Sequence, residues 1–324
     1  MPAAFQPSAS LAMLRRRAEL LAQVRRFFDE RGFLEVETPI LSHDTVVDRH
    51  LDPLAVTLFA DPRQPREGQT LWLQTSPEFG MKRLLAASAV GRGSPDAALT
   101  AIYQITHAFR GGEAGTLHNP EFTMVEWYRV GDDYAAGMQR LADLADAILG
   151  LGQPERLTYR EAFIRYAKID PIADDITVKE LPPDADREMA LDYILTTQVE
   201  PHLGKERPTI LYDYPANQAA LARTRQENPP VAERFELYVN GIELANGYHE
   251  LLDAAVLRQR NRENNQLRAA DCKYTLPEDS RLLAAMESGL PACCGCALGF
   301  DRLVMVATRA ASIQEVMAFP IDRA

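Results

Sequence analysis

Residues 107–130, HAFRGGEAGTLHNPEFTMVEWYRV, contain two segments suited to strands on either side of a short loop with adjacent glycines. Side chains alternate between the two faces of a strand, so every second residue from position 122 onward shares one face. That face carries Phe122, Met124, Glu126 and Tyr128. A face that only packs against a core rarely includes a carboxylate, so the pattern indicates a binding surface.

The loop between these two strands places polar side chains at the strand ends. It carries Arg110, Gly111, Gly112, Glu113, His118 and Asn119. A fixed cation at a strand end, an aromatic ring suited to stacking and a buried carboxylate together predict a nucleotide site.

Length and charge exclude several classes of protein. A chain of 324 residues can bury one large core or two modest ones. No run approaches the roughly 20 apolar residues of a membrane span, and the N-terminus lacks the pattern of a secretory signal, so a cytoplasmic protein is expected. The net charge of −11 argues against broad nucleic-acid binding, which depends on Lys and Arg neutralising phosphates.

Residues 10–31 are expected to form an amphipathic helix, because apolar residues recur at three- and four-residue steps. Ser10 is suited to cap the start of this helix and Gly32 to end it. The next stretch, FLEVETPIL, is extended, and its Pro39 excludes further helix. Residues 71–74 are a strand candidate.

A second helix is expected after Ser76, with Pro77 at its first position and Glu78 in its first turn. The helix dipole stabilises a carboxylate there, so Glu78 could serve only as a capping charge. It could equally be presented at a cleft, where it would bind an amine.

The middle of the chain is less regular. Residues 91–98 form a polar loop, and residues 134–149 are expected to form a helix. Residues 153–230 carry many prolines and predict an insertion with small helices and one strand, Thr209–Tyr214. No stretch has the composition of a linker, so one domain is expected.

Asn240-Gly241, between two alternating apolar segments, predicts a two-residue hairpin turn. The expected pairs are Val239 with Ile242, Tyr238 with Glu243, and Glu236 with Ala245. Glu236 and Glu243 would then be diagonal neighbours, about 7–8 Å apart at their backbones. Two close carboxylates repel unless a cation lies between them, so the pair is a candidate Mg²⁺ site; the alternative is two solvated glutamates. Glu250 could add a third carboxylate.

The four cysteines are Cys272, Cys293, Cys294 and Cys296. A zinc site would need a fourth ligand, and none lies at a typical distance from the C-x-x-C pair. Small buried thiols in a reducing compartment are the favoured interpretation, and the role of the cluster stays open.

The segment Gly299-Phe300-Asp301-Arg302 precedes an apolar helix. A glycine lets a ligand approach the backbone. Arg302, in the first helical turn, would offer an anion both its guanidinium and free backbone N–H groups. The alternative is a salt bridge from Arg302 to a neighbouring acid.

Together these segments resemble the three signature motifs of class II aminoacyl-tRNA synthetases. The first helix and the extended segment through Pro39 resemble motif 1, FRGGEAGTLHNPEFTMVEWY resembles motif 2, and GFDR with the following helix resembles motif 3. The strings TSPEFGMKRLL, HNPEFTM and GIELANGYHEL are most similar to the lysine branch. The resemblance extends from about residue 11 to the end of the chain.

The resemblance implies an α+β fold, an antiparallel β-sheet flanked by helices, as a single catalytic domain over residues 1–324, with a homodimer formed through motif 1. Bacterial lysyl-tRNA synthetases also carry an N-terminal OB-fold that reads the anticodon, and a motif 1 helix starting near residue 10 leaves no room for it. The chain is therefore similar to the stand-alone paralogues that attach (R)-β-lysine to a lysine side chain of elongation factor P. Ala297, where synthetases usually have glycine, agrees with a reshaped amino-acid pocket.

The resemblance also implies residue roles, with ATP and Mg²⁺ as cofactors. Arg110 and Arg302 would act in catalysis by holding the α- and γ-phosphates of ATP, and Phe122 would stack on adenine. Further nucleotide contacts would come from Gly111, Gly112, Glu113, His118, Asn119, Glu243, Leu244 and Gly299, with Glu236 and Glu243 holding Mg²⁺. A lysine-type amino acid would be bound by Ser76, Pro77, Glu78, Glu126, Tyr128, Glu250 and Ala297.

The motif 2 loop departs from the family pattern at one position. Synthetases of this branch usually have F-R-N-E, with the glutamate two residues after the arginine contacting adenine, whereas here Gly112 stands there and Glu113 follows. Either Glu113 reaches adenine through a flexible glycine turn, or the backbone at Gly112 makes the contact.

Three rival functions have sequence features against them. A synthetase fragment that charges tRNA conflicts with the acidic charge. A non-catalytic regulatory paralogue would usually lack a phosphate-binding arginine or a metal carboxylate, and all of these are present. An amide ligase of the asparagine synthetase A type would not need the lysyl-type acids. The sequence leaves open the lysine isomer, the acceptor-docking surface and the base that deprotonates the acceptor amine.

Overall fold

The computed structural model describes residues 5–89, 98–173, 175–182 and 185–324, so the polar loop predicted at 91–98 lies, apart from its last residue, outside the described residues. The helices and strands, in chain order, are α1 Leu11–Asp29, β1 Leu34–Glu35, β2 Leu41–Ser42, β3 Leu54–Leu58, β4 Gln69–Leu73, α2 Glu78–Ala89, β5 Ala101–Phe109, β6 Glu121–Val130, α3 Tyr134–Leu149, β7 Glu155–Thr158, α4 Tyr159–Ala162, α5 Arg187–Ile194, β8 Thr209–Pro215, β9 Thr224–Arg225, β10 Val231–Val239, β11 Ile242–His249, α6 Ala254–Ala270, α7 Arg281–Gly289, β12 Cys293–Gly299 and α8 Phe300–Thr308.

The chain divides into two compact units. The first unit comprises Met1–Asp133 and Glu250–Ala324, and the second comprises Tyr134–His249. The expectation of a single catalytic domain stays a prediction. Within the described residues, no helix has the length and apolarity needed to cross a membrane.

The first unit is built on β5 and β6, which pair antiparallel from Ala101↔Arg129 to Phe109↔Glu121. β12 adds antiparallel to the other edge of β6, and β1 adds parallel to β5. A small separate sheet has the order β2-β4-β3. Antiparallel pairing with helices around it confirms the predicted α+β class.

Helix α1 covers one face of this sheet. Ser10 accepts a hydrogen bond from the Met13 backbone N–H, as predicted, and Gly32 follows the helix with a φ of +73°. The buried Phe28 ring stacks on Tyr103 at 4.7 Å between centroids and lies 5.2 Å from Trp127. Because Trp127 points toward this aromatic core, its strand neighbours on β6 point away from it.

The second unit contains β7, β8, β9, β10 and β11 around its own core. Asn240 and Gly241 have φ values of +56° and +78°, so the predicted hairpin turn is confirmed. The core packs side chains of α4, the helical turn directly after it, α5 and β8 together, among them Tyr159, Phe163, Leu191, Ile194, Leu211 and Tyr214.

Two predictions for the second unit are wrong. Glu236 lies opposite Asn246 and not Ala245, because a bulge between the pairs Tyr238↔Glu243 and Leu237↔Ala245 adds one residue to β11. The insertion contains β7 and β9 besides the predicted strand. Both are short, with four and two residues, so they carry little alternation in the sequence.

Arg268 is the buried cation that ties α6 to the segment before β3. Its side chain is fully buried, donates to the backbone carbonyls of Asp48, Leu51 and Tyr274, and pairs with Asp52 at 3.0 Å. Removal of the guanidinium leaves these buried acceptors without donors.

We therefore expect Arg268→Met to lower the free energy of unfolding by about 3 kcal/mol, measured by urea denaturation. Arg262→Met on the same helix is the control, because Arg262 is exposed and lies 3.8 Å from Glu278. Its change is expected to stay below about 0.5 kcal/mol. Equal losses of unfolding free energy in the two variants would contradict the structural role of the buried Arg268.

Candidate functional site

Three carboxylates and one ammonium group lie together inside the first unit. The members of this acid cluster are Glu78 and Lys82 of α2, Glu126 and Tyr128 of β6, and Glu250. All five are buried, and Lys82, Glu126 and Glu250 are each only 1% exposed. Such a concentration of buried charge is costly unless each group is paired or later meets a ligand.

Local structure explains how the cluster forms. The Ser76 hydroxyl accepts a hydrogen bond from the Glu78 backbone N–H at 3.3 Å, which begins α2 directly after Pro77. Glu78 and Lys82 are one turn apart, and the Lys82 Nζ lies 2.5 Å from the Glu78 Oε1. The same ammonium group forms an ion pair with Glu250. Glu78 is therefore a member of the cluster and not merely a capping charge.

The strand β6 brings the other two groups. The Tyr128 hydroxyl donates a 2.5 Å hydrogen bond to the Glu126 Oε1, as expected for side chains two residues apart on one face. The Glu126 Oε2 and the Glu250 Oε1 are buried and have no hydrogen-bond partner among the described residues. Two carboxylate oxygens are thus available to a donor from outside the chain.

Burial shifts the proton affinity of the cluster. Burial, together with the neighbouring charge of Glu78, raises the pKa of Glu126 to about 8. Burial also raises the pKa of Glu250 to about 8, although the Lys82 ammonium group opposes the shift. Burial disfavours the charge on Lys82, but Glu250 and Glu78 outweigh it and raise the Lys82 pKa. The cluster is suited to binding ammonium groups.

Gly295 of β12 lies directly against the acid cluster. It pairs with Tyr128 across the two strands, and a Cβ placed there would lie 2.2 Å from the Tyr128 ring and 2.6 Å from the Glu250 Oε1. Only glycine fits. Ala297, two residues further, lies opposite Glu126, so its methyl group borders the same face.

A second group of side chains gathers where β5 ends, and we call it the arginine cluster. It contains Arg110, Glu113, His118, Phe122 and Arg302. The Arg110 guanidinium lies 5.1 Å from the centroid of the Phe122 ring and 3.8 Å from the Glu113 carboxylate. The buried Arg110 Nε has no hydrogen-bond partner among the described residues.

His118 links the loop to α8. Arg302 donates to the His118 Nε2 at 2.5 Å and to the Leu117 carbonyl at 3.3 Å. Burial and the Arg302 charge lower the pKa of His118, so its ring is neutral and accepts this hydrogen bond. The predicted alternative for Arg302, a salt bridge to a neighbouring acid, stays a prediction.

Other predicted loop residues hold the backbone in place. The Asn119 side chain donates to the Glu121 carbonyl at 2.6 Å and accepts from the Ile321 N–H at 2.9 Å. The Gly111 N–H donates to the Asp52 carbonyl at 2.6 Å, and Gly112 has a φ of +77°. The two glycines therefore shape the turn that leads from Arg110 to Glu113.

Asp301 fixes the start of α8 and with it the position of Arg302. Its carboxylate accepts from the Thr123 N–H at 2.7 Å and pairs with Arg17 at 2.5 Å. Gly299 precedes the helix and, as a glycine, provides no side-chain cap to its first turn.

The predicted Mg²⁺ ligands lie in the second unit. Glu236 is buried and already bound through both oxygens, by Arg234 at 2.5 Å, Tyr214 at 2.5 Å and Tyr238 at 2.6 Å. Glu243, half-buried opposite Tyr238, and the buried Leu244 begin β11. Because Glu236 already accepts three hydrogen bonds, this arrangement does not fit a metal ion held by both carboxylates, and their assignment stays a prediction.

The cysteines are free thiols. Cys293, Cys294 and Cys296 are buried in β12, as expected, whereas Cys272 is exposed, because it lies in the turn after α6. Burial raises the pKa of the Cys293 and Cys294 thiols. In the part of the chain that the structure describes, no group of three or more His, Cys, Asp or Glu residues could hold a metal ion.

Sequence reasoning missed Lys82 and Gly295. Lys82 carries a signal, its i,i+4 spacing from Glu78 on one helix face. The requirement at Gly295 comes from Tyr128 and Glu250, which are distant in the sequence and adjacent only in the fold.

Comparison with known protein families agrees with this geometry. Residues 4–323 match the family described as tRNA synthetases class II (D, K and N). The chain belongs to this family, whose members are ligases that use ATP and Mg²⁺ and activate amino acids as aminoacyl-adenylates.

Binding of an amine to the acid cluster is expected to release protons. Because the pKa values of Glu126 and Glu250 are about 8, both groups hold protons near neutral pH, and an ammonium ligand requires their ionised forms. The affinity for a diamino acid therefore rises as the pH increases toward about 8. Calorimetry in two buffers of different ionisation enthalpy measures the number of protons released on binding, and Glu126→Gln is expected to reduce that number. Net proton uptake would contradict the assignment of the acid cluster as an amine-binding site.

Gly295→Ala is expected to block the amino-acid site. The added methyl group overlaps the Tyr128 ring, so we expect at least about a tenfold loss in amino-acid affinity. The affinity for ATP in the same variant serves as the control and is expected to change less than about twofold. Unchanged amino-acid affinity would mean that the ligand does not use this face of β6 and β12.

Proposed function

We propose that this protein activates a lysine-type amino acid, (R)-β-lysine or lysine, with ATP and transfers it to a lysine side chain of elongation factor P. The observation that carries this proposal is the acid cluster with two unpartnered carboxylate oxygens, Glu126 Oε2 and Glu250 Oε1. An amino acid with two ammonium groups supplies donors for both. A neutral side chain would leave a buried carboxylate unpaired.

The spacing along β6 supports the pairing of an amino acid with a nucleotide. Phe122 and Glu126 lie on one face of the strand, four residues or about 13 Å apart. Phe122 and Arg110 lie at the nucleotide end and Glu126 at the amine end. An amino acid bound to the acid cluster would direct its carboxylate toward the phosphates of a nucleotide stacked at Phe122.

The first reaction step follows from this arrangement of amino acid and nucleotide along β6. The amino-acid carboxylate attacks the α-phosphorus of ATP, the bond to the bridging oxygen breaks, and pyrophosphate leaves with its electron pair. In this proposal the Arg110 and Arg302 guanidiniums stabilise the negative charge that develops on the phosphate oxygens.

The second step forms an amide. A neutral lysine amine of the acceptor attacks the carbonyl carbon of the adenylate, AMP leaves, and the new amide nitrogen loses one proton. Two features support a protein acceptor. The net charge of −11 disfavours the phosphate backbone of tRNA, and Ala297 adds a methyl group beside Glu126 where tRNA synthetases of this branch usually have glycine. A cytoplasmic homodimer formed through α1 and the segment after it is part of this proposal.

The proposal is tested by pyrophosphate exchange followed by transfer. The protein is incubated with ATP, Mg²⁺ and each lysine isomer, and exchange is measured; elongation factor P or tRNA is then added with labelled amino acid. We expect exchange with a lysine isomer and label on the protein. Absence of exchange with every isomer favours a regulatory, non-catalytic role, and label on tRNA alone overturns the choice of acceptor.

The Arg302→Ala variant tests whether α8 contributes to binding of the phosphates. Removal of its guanidinium is expected to reduce exchange by at least about 100-fold, because one phosphate-binding cation is lost. Arg309→Ala, at the exposed end of the same helix, is the control and is expected to retain exchange. Retained exchange in folded Arg302→Ala would show that α8 does not bind the phosphates.

A further inference from the structure

Lys82 is a buried cation to which sequence reasoning gave no role. Its ammonium group lies between Glu78 and Glu250, and 5.8 Å from the centroid of the Tyr128 ring. It therefore occupies the kind of position that the ammonium group of a substrate would take, between two carboxylates of the acid cluster. The chain supplies one amine to its own amine-binding site.

Packing alone does not explain a lysine at this position. A buried ion pair rarely stabilises a fold more than apolar residues of the same volume do, and a methionine would fill similar space. The reason for a lysine at position 82 therefore lies in its positive charge. Three carboxylates and one ammonium group give −2 when all are ionised, which equals and opposes the charge of two substrate ammonium groups.

The contacts show which groups Lys82 controls. On its own helix it holds Glu78, and across the cluster it holds Glu250 through one oxygen. The free Glu250 Oε1 and the free Glu126 Oε2 then stay available. The remaining titratable groups that face it are Tyr128 of β6 and Cys293 of β12.

We propose that Lys82 is a specificity-determining positioning residue: its ammonium group joins Glu78 to Glu250 and sets the charge of the acid cluster so that it takes a ligand with two ammonium groups. This inference rests on the proposed function. Without the Lys82 charge, the three carboxylates repel one another and retain more protons, and fewer acceptors remain for the ligand.

The test separates charge from shape. Lys82→Met keeps the length of the side chain and removes its charge, and Lys179→Met removes the same charge from an exposed site as the control. For Lys82→Met we expect at least about a tenfold weaker affinity for the lysine isomer, measured by calorimetry, with an unchanged affinity for ATP. The pH at which affinity reaches half its maximum is expected to rise by about one unit, because the neighbouring carboxylates lose a cation.

A second variant covers a failure of Lys82→Met to fold. Lys82→Ala keeps Cβ and leaves a space shaped like a propylammonium ion, so added propylammonium is expected to restore amino-acid affinity, whereas 1-propanol is not. A wild-type affinity and pH profile in Lys82→Met, or equal rescue by the alcohol, would overturn the inference and make Lys82 a packing residue.

Stability without ligand distinguishes this inference from the proposed function. Glu126 and Glu250 have a raised pKa in the folded protein, so stability falls as the pH rises above their unfolded values and levels off above about 8. In Lys82→Met, the stability is expected to continue falling to a higher pH than in the wild type. If no amino acid binds the wild type but this difference appears, the proposed function fails while the charge role of Lys82 stands; identical curves overturn the charge role.

Discussion

The alternation of side chains along β6 is the constraint on which the first unit depends. Trp127 faces the aromatic core formed with Phe28 and Tyr103, while Glu126 and Tyr128 face the acid cluster. Burying each charged group costs several kcal/mol, and burying each large apolar side chain contributes about 1.5–3 kcal/mol. The apolar face of the strand thus offsets the cost of the charged face, which explains why a carboxylate can be held in the middle of a sheet.

The sequence predicted best those features whose cause is local. The helix at 134–149 was predicted with the bounds of α3, and the Asn240-Gly241 turn was predicted from two residues. The Glu236 register was wrong because the bulge in β11 arises from pairing across strands and leaves no mark in the alternation. The same limit hid Gly295, whose neighbours Tyr128 and Glu250 lie far away in the chain.

Contacts within the protein fix the side chains of the arginine cluster in positions suited to binding an anion. Arg302 is fixed from one side by Asp301, which is bound to Thr123, and from the other by the neutral His118. Glu113, whose contact with adenine was left open by the sequence, lies beside the Arg110 guanidinium. A phosphate that approached Arg110 would compete with this carboxylate, so nucleotide binding and a movement of Glu113 would be coupled.

Discrimination among amino acids follows from the same burial that makes the acid cluster unstable on its own. Burial favours the protonated forms of Glu126 and Glu250 near neutral pH, although the Lys82 ammonium group opposes this at Glu250. Under the proposed function, a ligand with two ammonium groups would meet both unpartnered oxygens and displace these protons, whereas a ligand with one would leave a buried carboxylate protonated or unpaired. A missing hydrogen-bond partner in a buried polar site is penalised far more strongly than a missing methylene group in an apolar one. Under the proposed function, the acid cluster would therefore gain selectivity because two of its buried carboxylate oxygens lack a hydrogen-bond partner until the ligand binds.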